Sequence, residues 1–219
     1  MNTKRKRLSA AERKPQILRS AIRAMSQSNY RTTSIAEIAA EAGITEPAVY
    51  RYFPTKKALF IAIIEDVGSR VQQLWQSIID ESEGPVDALR RISLDYYERA
   101  MTRRGDLKVL FQALAEVDDE DIRQALRNQF RGYVDLLRGQ LDRCAEQGII
   151  YPEVDSQTAA WSFLSVGFTL NLVGLLGFTD EMDEGRLLKI QDLFLGSLAR
   201  HEEARQGLSN SNGYPSGDV

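Results

Sequence analysis

The sequence predicts an all-α fold, about nine helices in all, with a small three-helix N-terminal domain joined to a larger helical domain. Three observations carry that reading. Apolar residues recur with a period near 3.6, and no strand-length stretch alternates with period two. Gly, Pro and capping residues cut the chain at helix-length intervals. Charge is also unevenly divided, with 12 Lys/Arg against 4 Asp/Glu in residues 1–60 and 16 against 27 in the rest. Across all 219 residues the balance is only −3, so the asymmetry, not the total, is informative. A basic N-terminal module attracts a polyanion, whereas a merely solvated basic face would carry the same charge.

The first helix is expected over 11–28, with Pro15 in its first turn, where a missing N–H costs little. Two short helices follow at 34–41 and 45–52, then a long one at 55–80. Ser82-Glu83-Gly84-Pro85 interrupts the chain before helices at 86–102 and 107–115. A long helix at 119–147 carries the stripe Ile122, Leu126, Phe130, Tyr133, Leu137, Leu141 and Cys144, and Gly148 and Pro152 end it. An uncharged run, 159–178, falls mostly within a helix expected at 156–176, and a last helix is expected at 184–201. The expected domains are 1–60, with a basic arm at its start, and 61–203. The tail 204–219 is rich in Gly, Ser and Asn and is expected to be disordered.

The segment from Thr33 to Phe60 is the most specific part of the chain. Ser34 and Glu37 form a capping-box pattern ahead of an apolar face made by Ile35, Ile38, Ala39 and Ala42. Gly43 can take a positive φ and end that helix sharply, and Ile44 follows as an apolar plug. Thr45 is a new N-cap with Pro47 in the first turn behind it, and Val49 with Tyr52 or Phe53 returns to the core. Two short helices about a glycine turn make a helix-turn-helix. Its second helix would enter a DNA major groove, presenting Thr45, Glu46, Ala48, Tyr50 and Arg51. Arg51 can pair with guanine, Glu46 can accept from cytosine, and Ala48 can touch a thymine methyl. Thr33, Tyr50, Tyr52 and Lys56 are expected at phosphates. Lys4-Arg5-Lys6-Arg7 is either an arm along the DNA or a solvated terminus.

These residues resemble the DNA-binding domain of the tetracycline-repressor (TetR) family. The resemblance is carried by Gln16-Ile17-Leu18 and Ala21, then Ile38-Ala39, Ala42-Gly43-Ile44, Val49-Tyr50, Tyr52-Phe53, and Lys56 with Ala58-Leu59. It covers the first quarter of the chain; the remainder is similar only in length and helical layout. It implies a homodimer on a roughly palindromic operator, usually acting as a repressor, released when a small molecule occupies the C-terminal domain. Glu46 and Pro47 depart from the small or basic pair often found there. An acidic side chain at that point works against indiscriminate phosphate affinity and toward base choice.

In the C-terminal part, the uncharged helix and the last helix, with Leu187, Leu188, Phe194 and Leu198, are the expected dimer surface. Small residues Ser162, Ser165, Gly167 and Gly174 would let helices approach there. The alternative is an internal core helix of a monomer. Tyr96, Tyr97, Met101, Phe111, Phe130, Tyr133, Trp161, Phe168 and Asn171 are the pool for an effector site, each equally readable as core; Asn171 stands out because a buried amide needs a partner.

Other classes fit poorly. The uncharged run is long enough to span a bilayer but is diluted by polar residues and lacks basic flanks, so no membrane partner is expected. One cysteine, Cys144, and one histidine, His201, leave no disulfide, and no catalytic or metal-ligating set can be assembled from them. Neither an enzyme nor a cofactor or metal is expected, and a reducing, cytoplasmic setting fits. The rival to DNA binding is a helical dimeric interaction adaptor, which leaves the basic module unexplained.

Overall fold

The computed structural model describes residues 9–199, so the arm at Lys4–Arg7, His201 and the C-terminal tail lie outside the described residues. Nine helices and no strand are present among the described residues: α1 Ala10–Gln27, α2 Ile35–Ala42, α3 Glu46–Tyr50, α4 Lys56–Glu81, α5 Pro85–Thr102, α6 Arg104–Leu114, α7 Glu120–Glu146, α8 Ser156–Leu176 and α9 Glu184–Leu198. They group into two compact units. One holds the residues up to Arg70 with Gly105–Gln129, the other Val71–Arg104 with the residues from Phe130 onward. α4 and α7 each contribute a stretch to both.

In the first unit, α1 starts one residue earlier than its periodicity suggests, because Ser9 and Glu12 form a capping box. Pro15 therefore lies inside the helix, past its first turn, which corrects the placement expected for it. The core includes Ile17, Ala21 and Met25 of α1, Ile38 and Ala39 of α2, Val49 of α3, and Leu59, Phe60 and Ile63 of α4, all buried. α6 and the start of α7, although beyond residue 60, pack in this unit. Gln112 accepts from the Tyr30 amide at 2.9 Å and donates to Met25 O at 3.0 Å. Lys57 Nζ meets Asp121 at 2.7 Å and Asp119 at 3.1 Å, and Arg31 meets Glu116 at 2.6 Å.

The second unit is built on the expected α7 stripe. Tyr133, Leu137, Leu141 and Cys144 join Trp75, Leu89, Ile92, Ala160, Phe163 and Leu164 in one apolar cluster, with Phe130 packed against it half-buried. α5 is in contact with both α8 and α9. Gly174 lets α8 approach α5 so closely that an added Cβ would stand 2.4 Å from the Ala100 carbonyl oxygen. A Cβ at Gly167 would stand 3.2 Å from the Tyr96 ring. Both glycines thus serve packing inside the unit, whereas Ser162 and Ser165 face outward, which corrects the joint role in dimerisation expected of the four. α8 is long and apolar enough to cross a membrane by length and composition, but Ala159, Ala160, Phe163, Leu164, Leu170 and Asn171 are buried against protein.

Candidate nucleic-acid interface

The turn between α2 and α3 is built by local hydrogen bonds. The Ser34 hydroxyl accepts from the Glu37 amide at 3.1 Å, and the Glu37 carboxylate accepts from the Ser34 amide at 2.6 Å. The bond from the Ser34 amide foremost, and then one from the Ser34 hydroxyl to the same carboxylate at 2.8 Å, hold the Glu37 carboxyl below its usual pKa and keep a negative charge at the positive end of α2. At the other end Gly43 takes φ 64° and ψ 38°, the left-handed region. The Ile44 amide reaches back to Ala39 O at 2.9 Å and the Gly43 amide to Ala40 O at 3.0 Å, closing the helix. From α1, Gln16 Nε2 donates to Ala42 O at 2.9 Å, satisfying a further terminal carbonyl. Val49 and Phe53 are buried and anchor α3 from behind, while Tyr52 is only half-buried.

That anchoring turns the opposite side of α3 outward. Thr45, Glu46, Tyr50 and Arg51 are exposed, and Ala48 is half-buried beside them. Thr45 sits at the N-cap position, but its side chain makes no capping bond; Pro47 in the first turn sets the backbone instead. The helix ends at Tyr50, earlier than expected and well before Pro54. Thr33 is buried, and its hydroxyl donates to Asn29 O at 2.7 Å. Lys56 Nζ donates to the Arg31 and Thr33 carbonyl oxygens at 2.9 and 3.1 Å, bracing the turn ahead of α2, and lies 5.1 Å from the Tyr30 ring centroid. Two cations that sequence reasoning passed over, Arg31 and Lys57, are held by carboxylates of α7 and the loop before it; the hydrogen bonds that Lys57 donates to Asp121 and Asp119 raise its pKa. No signal in the sequence links positions so far apart.

Of the expected effector residues, Phe111 lies in the first unit and the others in the second. Tyr97 and Met101 border an open groove of about 710 Å³ along α4 and α5. Phe130 stacks on Phe168 with centroids 5.8 Å apart and meets Tyr133 edge-on at 5.9 Å. Trp161 is half exposed on the outer side of α8 and points away from the buried cluster. Asn171 is buried, and its Oδ1 accepts from the Tyr96 hydroxyl at 3.0 Å. Burial raises the pKa of Tyr96, so that hydroxyl keeps its proton to donate. Trp75, which the sequence does not mark out, lies at the centre of this group, 6.1 Å from Tyr96 and 5.1 Å from Tyr133.

A capped helix, a left-handed glycine and a short, outward-facing second helix define a helix-turn-helix protein of the transcription-regulator class. Residues 17–63, the segment that builds this motif, match the tetR family of bacterial regulatory proteins. The chain is 30% identical over 156 residues to the HTH-type transcriptional regulator AcrR of Shigella flexneri, covering 69% of this chain and 73% of that protein. Among solved structures, the fatty acid degradation regulator FadR from Bacillus halodurans has the same fold, with a TM-score of 0.75, 18% identity, and coverage of 84% of this chain and 98% of that one. FadR from Bacillus subtilis in complex with stearoyl-CoA gives a TM-score of 0.62 at 20% identity, over 84% and 97% of the two chains. The chain belongs to the tetR family and is a DNA-binding transcriptional regulator.

Proposed function

We propose that this protein is a homodimeric repressor that binds a palindromic operator and is released by a small-molecule effector. The observation that carries the reading is the outward face of α3, where Thr45, Glu46, Tyr50 and Arg51 stand clear of the core beside the Gly43 turn. These residues, with Ala48, would read base edges in the major groove, while Tyr52 and Lys56 would sit nearest the phosphates. In a cell this takes place in the cytoplasm, on the chromosome. The dimer surface would be the outer side of α8 and α9. Leu176 is 67% and Leu193 76% exposed, and Trp161, Leu172 and Phe178 add three more large apolar residues. Closed two-fold pairing of that surface would match a palindromic site. Response to an effector is supported by the solved relative that holds stearoyl-CoA. Release requires only that the effector bind better to a form whose recognition helices are wrongly spaced for the operator.

The test is selection of bound sequences from a random duplex library with the purified protein, repeated with Arg51→Ala and Lys56→Ala. A recovered palindrome with evenly spaced half-sites is expected. Arg51→Ala should lose about 1–3 kcal/mol and relax preference at one base position. Lys56→Ala should weaken all sequences alike. Absence of enrichment at low salt from folded protein would point instead to the interaction adaptor.

A further inference from the structure

Two buried hydrogen-bond donors near the centre of the second unit have no acceptor. Trp75 is 2% exposed and its Nε1 has no partner; Asn171 is 1% exposed and its Nδ2 has none either. Folded cores rarely leave such donors unmet, because each has given up water without gaining a bond in exchange. Tyr96 joins the two. Its ring stands edge-on to Trp75, and its hydroxyl donates to Asn171 Oδ1, orienting the amide so that Nδ2 remains free to donate. Trp75 and Tyr96 also line a cavity of about 20 Å³, room for about one water, whose other walls include Ile92, Phe163, Leu164 and Leu170. Among its lining residues is no carboxylate, lysine or arginine. Opposite Tyr96 stands Gly167, where an added Cβ would lie 3.2 Å from that ring.

We infer that this cavity is the closed form of the effector site, and that its ligand is an uncharged, largely apolar molecule carrying a carbonyl-type acceptor oxygen. The inference rests on the effector-response reading above. An indole N–H can only donate, so the missing partner at Trp75 is an acceptor. With no charged side chain in the lining, a carboxylate or ammonium would enter without a counter-charge, a strongly unfavourable burial. The apolar walls hold the body of the molecule; Trp75, in the lining, is the donor that meets its oxygen, and Asn171, which holds the Tyr96 hydroxyl just outside the lining, is reached as α8 parts from α5. Because the closed cavity holds no more than a water, a ligand must part α8 from α5 near Gly167 to enter. That gives the ligand a differential affinity for an opened form, which is what an effector requires.

The probes are cyclohexanone and acetophenone, each against the hydrocarbon in which the carbonyl oxygen is replaced by methylene: methylenecyclohexane and α-methylstyrene. The wild-type protein is titrated with each while the indole signals of Trp75 and Trp161 and the side-chain amide signals of Asn171 are followed by nuclear magnetic resonance. At least one ketone is expected to move the Trp75 and Asn171 signals saturably, leave Trp161 in place, and bind about tenfold tighter than its hydrocarbon. Trp75→Phe and Asn171→Leu should each reduce that preference; Tyr96→Phe, which keeps the ring, should reduce it through the freed amide. Equal binding of ketone and hydrocarbon, or no movement of Trp75 with either ketone, overturns the inference; so does a Trp75 indole in contact with trapped water alone. The same preparation is assayed on the selected duplex. Duplex binding without ketone binding sinks this inference alone, and ketone binding without duplex binding sinks the regulatory reading alone.

Discussion

Three glycines inside helices provide a graded test of how tightly the second unit is packed. A Cβ at Gly139 of α7 would meet nothing within 4 Å, one at Gly167 would lie 3.2 Å from the Tyr96 ring, and one at Gly174 would lie 2.4 Å from the Ala100 carbonyl oxygen. Ordinary contact begins near 3.4 Å, so Gly174→Ala requires α5 and α8 to separate by about 1 Å, with backbone as the obstacle. Overpacking of that kind costs about 1–3 kcal/mol, against roughly 1 kcal/mol gained from replacing glycine in a helix. With backbone as the obstacle the cost falls in the upper part of that range, about 2–3 kcal/mol, so Gly174→Ala should be destabilised by a net of about 1–2 kcal/mol, which for a chain of this size lowers Tm by roughly 2–8 °C. Gly139→Ala has only the helix term and should raise Tm by about 2–4 °C. Gly167→Ala should fall between them, because a tyrosine ring can shift by a few tenths of an ångström where a carbonyl cannot. The assay is thermal unfolding at one fixed protein concentration, since a dimer's Tm depends on concentration. A Gly174→Ala protein as stable as wild type, or a Gly139→Ala protein less stable than Gly174→Ala, would refute the packing argument.

Other outcomes follow from individual contacts. Burial pushes the Cys144 thiol up to about 11, so alkylation near neutral pH should be far slower in the native protein than in the unfolded chain; equal rates would contradict the buried placement. The Lys57 ammonium, first of several contacts, depresses the Asp119 pKa, so the carboxylate's contribution is present above the ordinary value of 3.8 and lost as pH falls through the lower folded value. The Asp121 and Ile122 amides donate to Asp119 Oδ1 at 3.0 and 3.3 Å and should report that midpoint below 3.8 by chemical shift; a midpoint above 4 would contradict the pairing. Leu172→Glu with Leu193→Glu, both at exposed positions on α8 and α9, should convert a dimer to monomer in sedimentation while leaving helix content unchanged.

Much of the local architecture was legible because it depends on neighbours in sequence. Ser34, Glu37 and Gly43 announce the ends of α2, since capping bonds and a left-handed φ involve residues only a few positions apart. The α7 stripe from Ile122 to Cys144 marks its buried side by period alone, and the ends of α8 coincide with those expected. The Ser9 and Glu12 capping box is equally local, and it starts α1 at Ala10, which leaves Pro15 inside the helix. What tertiary structure decided lies between distant segments. α8 is apolar nearly all round, so periodicity could not tell that Gly167 and Gly174 face α5 while Trp161 and Leu172 face out. Nor could it pair Lys57 with Asp119, draw Gly105–Gln129 into the N-terminal unit, or leave Trp75 without an acceptor. A helix end is set by bonds that close over a few residues, but a partner or its absence is set by what long-range packing brings near or keeps away.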